Sequence, residues 1–165
     1  MLNVHHQNNH KSCPPLLSVY GGKITTFRHL GQAACHKLQK YLPHMGVDWT
    51  ETAQLPGGDI NKNNNIAEFI NQLENAHDWL PKTLIRRLAT HYGSNVRQII
   101  KDATNLDDLG ENLGADIYTA ELDYVIENEW VLCADDYLWR RTRMGLHIDD
   151  EIKAKIESYI QNQVA

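Results

Sequence analysis

The chain has 165 residues, 42% hydrophobic and 22% charged, a balance that excludes wholesale disorder and marks an ordinary globular protein. With 16 Lys and Arg against 21 Asp and Glu, the formal net charge is −5, so no global field gathers a polyanion and nucleic acid is not an expected partner. A chain of this length buries roughly 70% of its unfolded surface, enough for one real core and an appendage, and no apolar run approaches the ~18 residues that span a bilayer.

The opening MLNVHHQNNHKSC has neither the basic nor the apolar region of a secretion signal. Cys13, Cys35 and Cys133 are odd in number, far apart and without a CxxC pair. Free thiols in a reducing cytoplasm are therefore expected. His5, His6 and His10 invite a zinc site, but no carboxylate or thiolate stands at a fixed spacing to complete it, and no metal is assigned.

From Met1 to Pro15 the pattern predicts a loop or a pairing strand. Leu16–Tyr20 reads as a short buried strand closed by Gly21–Gly22. Thr25 or Thr26 then caps a helix whose apolar residues Phe27, Leu30, Ala34, Leu38 and Tyr41 recur at steps of three and four until Pro43. Residues 43–65 are a long connection with the turn Leu55-Pro56-Gly57-Gly58 and an Asn-rich tract, and the domain boundary falls here, giving 1–45 and 46–165.

The second domain reads as helical to its end. Ile66, Phe69, Ile70 and Leu73 form one stripe, and Leu84, Ile85, Leu88 and Tyr92 form another, opened by Pro81 and closed by Gly93. Ser94 caps a short helix with Val96, Ile99 and Ile100. Further helices follow over about 115–128, 134–144 and 149–163, the last capped by Asp149. The predicted architecture is mainly α: a bundle of about six helices with no strand in it, preceded by a strand–turn–helix piece.

Two features bear on chemistry. Gly21-Gly22-Lys23-Ile24-Thr25-Thr26 places glycines, a lysine and hydroxyls at a helix mouth, where free N–H groups and the dipole favour an anion. It is neither a P-loop nor GxGxxG, and a tight turn with a solvated lysine remains the competing reading. The second is Glu129 to Gly145, where the spacings of Asp135 with Trp139 and of Asp136 with Arg140 predict a buried ion-pair and cation–π network. Phosphate or nucleic-acid binding through Arg140, Arg141 and Arg143 is the weaker alternative. No HExxH, GxSxG or Ser-His-Asp arrangement offers a self-contained catalytic centre.

The ordered motifs Leu16 to Arg28, Leu55-Pro56-Gly57-Gly58, Tyr92-Gly93-Ser94-Asn95, Asp108-Leu109-Gly110, Ala120 to Tyr124 and Glu129-Trp130 through Thr142 resemble the C-terminal third of the aerobic, FAD-dependent glycerol-3-phosphate dehydrogenases. The resemblance implies a flavoenzyme that oxidises sn-glycerol 3-phosphate to dihydroxyacetone phosphate and passes electrons to quinone. It implies that Gly21, Gly22, Lys23, Ile24 and Thr25 lie against the flavin ring of FAD. Lys23 would there stabilise negative charge developing at N1 and O2.

On this reading residues 1–45 end an FAD-binding α/β domain and 46–165 form an all-helical cap that supplies no catalytic residue. The expected partners are the remainder of the flavin domain, glycerol 3-phosphate, quinone and, in a homodimer, a second copy. The expected location is the cytoplasm, peripheral on the cytoplasmic face of the inner membrane. The dinucleotide-binding GxGxxG and the upstream substrate residues are not in the chain, which points to a piece of a longer polypeptide, inactive alone. Its orphan strand would leave an exposed apolar edge, while the bundle folds by itself. The rival reading is a standalone helical interaction module without catalysis.

Overall fold

The structure, a computed structural model, describes residues 2–5 and 14–164, and the chain divides into two compact units, Met1–Ala53 and Gln54–Ala165. Among the described residues six α-helices stand beside two small two-stranded sheets, the mainly α architecture that the sequence predicts.

In the first unit β1 (Leu2–His5) pairs antiparallel with β2 (Leu16–Val19), from Leu2 opposite Val19 to His5 opposite Leu16. The strand expected to be an orphan therefore has a neighbour, supplied by the histidine-rich opening. The expected burial of β2 fails instead, since Leu16 is 65% exposed and Val19 and Tyr20 are exposed too. One ribbon and one 12-residue helix, α1 (Phe27–Leu38), enclose too little apolar surface to hide a side chain. Thr26 precedes α1 without capping it, because its hydroxyl donates to the Lys23 carbonyl at 3.1 Å.

The second unit contains α2 (Ile66–Ala76), α3 (Lys82–Tyr92), α4 (Val96–Ile100), α5 (Thr119–Glu129) and α6 (Asp150–Val164). Their apolar stripes meet as predicted: Phe69 and Leu73 are buried together with Leu84, Ile85, Leu88, Ile99, Leu122, Val125, Ile156 and Ile160. The Asn-rich tract has a local job. Asn61 Oδ1 accepts the Asn65 N–H at 2.9 Å, and Asn65 Oδ1 accepts the Glu68 N–H at 3.1 Å, so the tract turns the chain and caps α2. Asp149 caps α6 as expected, accepting from the Ile152 N–H at 2.9 Å.

Three expectations for this unit are corrected. It does contain strands, β3 (Asn112–Gly114) and β4 (Ile117–Tyr118), joined through Ala115 and Asp116 at φ 51° and 56°. Two left-handed residues make a hairpin turn without the Asn-Gly signature that advertises one, so α5 starts at Thr119 rather than near 115. Ser94 caps nothing. It lies in a 3₁₀ turn, Gly93–Asn95, and its N–H donates to the Gly57 carbonyl at 3.0 Å. The helix expected over 134–144 is a π-helix, Asp136–Arg141, closed by the Thr142 N–H and hydroxyl, both on the Tyr137 carbonyl at 3.1 and 2.7 Å.

The Pro56-Gly57 turn and the Tyr92-Gly93 turn press their backbones together. Gly57 takes φ +80°, and its amide neighbour Gly58 bonds the Leu55 carbonyl at 2.8 Å, a turn that needs a positive φ at its third residue. A Cβ on Gly93, at φ +56°, would fall 1.9 Å from the Gly57 oxygen. Gly93→Ala should therefore cost about 1–3 kcal/mol from backbone strain alone and more from the clash. Thermal denaturation of the full chain should show a clear fall in Tm, and an unchanged Tm would contradict this contact.

Candidate functional site

The predicted site residues stand together in one turn of the first unit. Gly21 and Gly22 take φ 72° and 144°, a geometry that reverses the chain between β2 and the 3₁₀ turn Ile24–Thr26. A Cβ on Gly21 would meet nothing within 4 Å, and one on Gly22 would approach Leu30 Cδ2 at 3.1 Å. Lys23 is extended, with φ −101° and ψ 141°. The first N–H taken up by the helical backbone is that of Thr26, on the Lys23 carbonyl at 3.0 Å. The N–H groups of Gly22, Lys23, Ile24 and Thr25 thus lie outside the helix's own hydrogen bonding. All five residues are exposed, and Lys23 forms no ion pair among the described residues. The turn offers an open backbone cradle with positive charge beside it.

Elsewhere the sequence reading is corrected. Over Asp135–Arg143 the predicted network is not buried. Asp136 and Arg140 do pair, at 2.6 Å, but at the surface. Arg141 Nε donates to the Glu129 carbonyl at 2.8 Å, and no arginine of this stretch stacks on a ring among the described residues. Trp139 lies instead over Gly145, where a Cβ would come within 2.5 Å of the indole. The Asp136–Arg140 pair thus keeps its i, i+4 contact, while the Trp139 ring is directed onto Gly145 rather than onto an arginine. Asp136 has a second role, accepting the N–H groups of Leu132 and Cys133 at 3.0 and 3.2 Å.

Of the zinc candidates, His5 lies in β1, and His6 and His10 lie outside the described residues, as does Cys13. No cluster of three metal-ligating side chains occurs among the described residues. A His–Asp pair does occur in the first unit, His36 Nε2 with Asp48 Oδ2 at 2.9 Å, and Gln32 Nε2 donates to the same carboxylate at 2.6 Å.

The buried charge that sequence reasoning missed is Glu121, 1% exposed. Arg87 grips it with two N–H groups at 2.8 and 2.7 Å, and the hydroxyls of Tyr92 and Tyr137 donate to Oε1 at 2.7 and 3.0 Å. Burial opposes the Arg87 charge, but the Glu121 carboxylate holds the guanidinium pKa above its ordinary value. Burial, reinforced by the same carboxylate, pushes both phenols well above theirs. The carboxylate is fully engaged, so this cluster is a structural clasp and not a proton-transfer site. A signal existed: Glu121 shares a helical face with Tyr124 and Val125, both buried.

Two expectations follow. Arg87→Met strands a buried carboxylate and should cost about 3–5 kcal/mol in urea denaturation; a loss below about 1 kcal/mol would refute the clasp. Hydrogen bonds from the Leu132 backbone, and then the Arg140 pair, pull the Asp136 pKa down to about 2. A carboxylate depressed below its unfolded value near 4 stabilises the native state above that pH and ceases to as pH falls through about 2. In an acid titration followed by NMR, the Leu132 and Cys133 amides should shift in that window, and Asp136→Asn should abolish the transition.

Comparison with known proteins supplies the family. Residues 49–161 match the family model of the C-terminal domain of alpha-glycerophosphate oxidase. The chain is 40% identical over 148 residues to D-erythritol 1-phosphate dehydrogenase of Brucella abortus, covering 90% of the chain and 29% of that protein. It is 38% identical over 150 residues to glycerol-3-phosphate dehydrogenase of Pseudomonas aeruginosa, covering 91% and 29%. With aerobic glycerol-3-phosphate dehydrogenase of Escherichia coli the identity is 37% over 159 residues, covering 96% and 31%. The chain thus spans under a third of the length of these relatives, and it belongs to the family of the C-terminal domain of alpha-glycerophosphate oxidase, which the glycerol-3-phosphate dehydrogenases share.

Proposed function

We propose that the chain is the C-terminal part of an FAD-dependent glycerol-3-phosphate dehydrogenase that converts sn-glycerol 3-phosphate to dihydroxyacetone phosphate and delivers the electrons to membrane quinone. By itself the chain does not turn over. The observation that carries this reading is the exposed Gly21–Thr25 turn, where two glycines at positive φ precede Lys23 and the N–H groups before Thr26 stand outside the helix's own hydrogen bonding. That cradle fits the edge of a flavin ring. When bound, FAD supplies the hydride acceptor.

The roles of the chain's own residues follow from their chemistry. Gly21 and Gly22 let the backbone approach a flat ring. The N–H groups of Lys23, Ile24 and Thr25 donate hydrogen bonds, and the Lys23 ammonium favours negative charge developing on the ring; none of them needs to move a proton. The exposed Leu16, Tyr20, Ile24 and Phe27 supply apolar surface for the remainder of the flavin domain. No helix among the described residues is long and apolar enough to cross a membrane, and the proposal keeps the enzyme peripheral on the cytoplasmic face of the inner membrane.

A second substrate reading, D-erythritol 1-phosphate, is favoured by the 40% identity to the Brucella dehydrogenase; both substrates are polyol phosphates. In a complete enzyme carrying this segment, Lys23→Ala should slow flavin reduction by about tenfold or more. Stopped-flow absorbance with either polyol phosphate measures it. Unchanged flavin reduction and flavin affinity would remove Lys23 from the site.

A further inference from the structure

The segment from Trp130 to Leu146 in the second unit exposes four large apolar side chains among charged ones, Asp135, Arg140, Arg141 and Arg143. Trp130 is 82% exposed, Leu132 68%, Leu146 67% and Trp139 40%. Each borders a buried residue: Val131, Leu138 or Gly145. Burial of the neighbours explains why these four point out. It does not explain why they are tryptophan and leucine, since polar residues would serve equally well and keep the surface wetted.

The segment is also fixed in place. The Asp136 carboxylate holds the Leu132 N–H, Arg141 Nε holds the Glu129 carbonyl beside Trp130, and the Trp139 ring rests on Gly145 beside Leu146. Trp130 and Arg143 both take left-handed backbone, φ 56° and 63°, which side-chain-bearing residues adopt only where surroundings enforce it. Arg143 forms no ion pair or side-chain hydrogen bond among the described residues, and it lies beside the apolar residues as a free cation.

We propose that Trp130, Leu132, Trp139 and Leu146, with Arg143 at their edge, form the surface on which this domain receives the preceding, flavin-binding part of the enzyme. The proposal rests on the functional reading above and adds the surface through which the two parts join. The occupant follows from chain length: the family is a C-terminal domain, and the chain covers only 29% of the Brucella and Pseudomonas relatives. In a C-terminal domain the remainder of the polypeptide precedes it, and that remainder is the occupant proposed. A preorganised apolar patch with an unpaired arginine fits a partner surface that is apolar with a carboxylate near its margin.

The test co-expresses the full chain with the part of the Pseudomonas aeruginosa dehydrogenase that precedes the matched region, and measures co-purification. The wild-type chain should co-purify. Trp130→Ser with Leu132→Ser, and separately Leu146→Ser with Arg143→Glu, should each reduce recovery at least tenfold while leaving the melting temperature of the chain alone unchanged, because the side chains are exposed. Recovery equal to wild type in both variants, or no complex with the wild-type chain, would overturn the proposal. So would a dimer of the isolated chain that these variants dissociate, which would make the patch a contact between copies. Flavin absorbance of the wild-type complex separates the two ideas: docking without bound flavin would sink the flavin reading and leave the surface standing.

Discussion

A carboxylate that is 1% exposed in an apolar core must be neutralised where it stands, and Glu121 imposes that requirement on the whole second unit. Arg87 and Tyr92 come from α3, Glu121 from α5 and Tyr137 from the π-helix. A third Arg87 N–H, the other one on Nη2, continues to the Asp116 carbonyl at 2.8 Å, in the turn between β3 and β4. One charge thereby sets the register of two helices, the π-helix and a hairpin. Sliding any of them by a residue would leave a buried ion or hydroxyl unpaired, which costs more than most single apolar contacts return. The apolar stripes supply the driving force, and the clasp selects one arrangement among those the stripes would allow.

The stripes were legible because they follow one period. Phe69 and Leu73, Leu84 and Leu88, Ile156 and Ile160 recur at helical spacing and are all buried. The Gly21–Gly22 turn was legible because two adjacent glycines after an apolar run announce positive φ. What stayed hidden depended on contacts distant in sequence or on residues used against their preference. Arg87 and Glu121 lie 34 positions apart, and nothing in either local stretch names the other. Ala115 and Asp116 make a hairpin turn with residues that seldom take left-handed backbone. The i, i+4 spacing in Asp136–Arg140 did yield its ion pair, but at the surface, since in this π-helix the buried positions are Tyr137 and Leu138.

The two units differ in what they bury. Residues of the first carry the cradle and no described one of them is buried; residues of the second carry the core and its clasp. In the role proposed for it, the Gly21–Thr25 turn would have to leave its backbone N–H groups accessible rather than bury them, and would gain its order from surfaces that close around it. The exposed Leu16, Ile24 and Phe27 are the kind of surface such closure needs.

The motifs on which the sequence resemblance rests contain few reactive groups, and the structure gives several of them a packing role. Gly57 and Gly93 meet backbone to backbone, where a Cβ would fall 1.9 Å from an oxygen, and a Cβ on Gly110 would fall 2.1 Å from the Thr119 hydroxyl. Asp108, just before Gly110, receives the Thr104 N–H and hydroxyl at 2.8 and 3.0 Å, and those bonds hold its carboxyl below the usual range. Each short motif therefore marks a place where two chain segments approach too closely for any other residue, or where one carboxylate ties a turn. Spaced along the chain, these are steric and hydrogen-bonding conditions that must all hold at once. They are conditions of packing, whereas the flavin role proposed for the chain belongs to a different stretch, the turn at Gly21–Thr25.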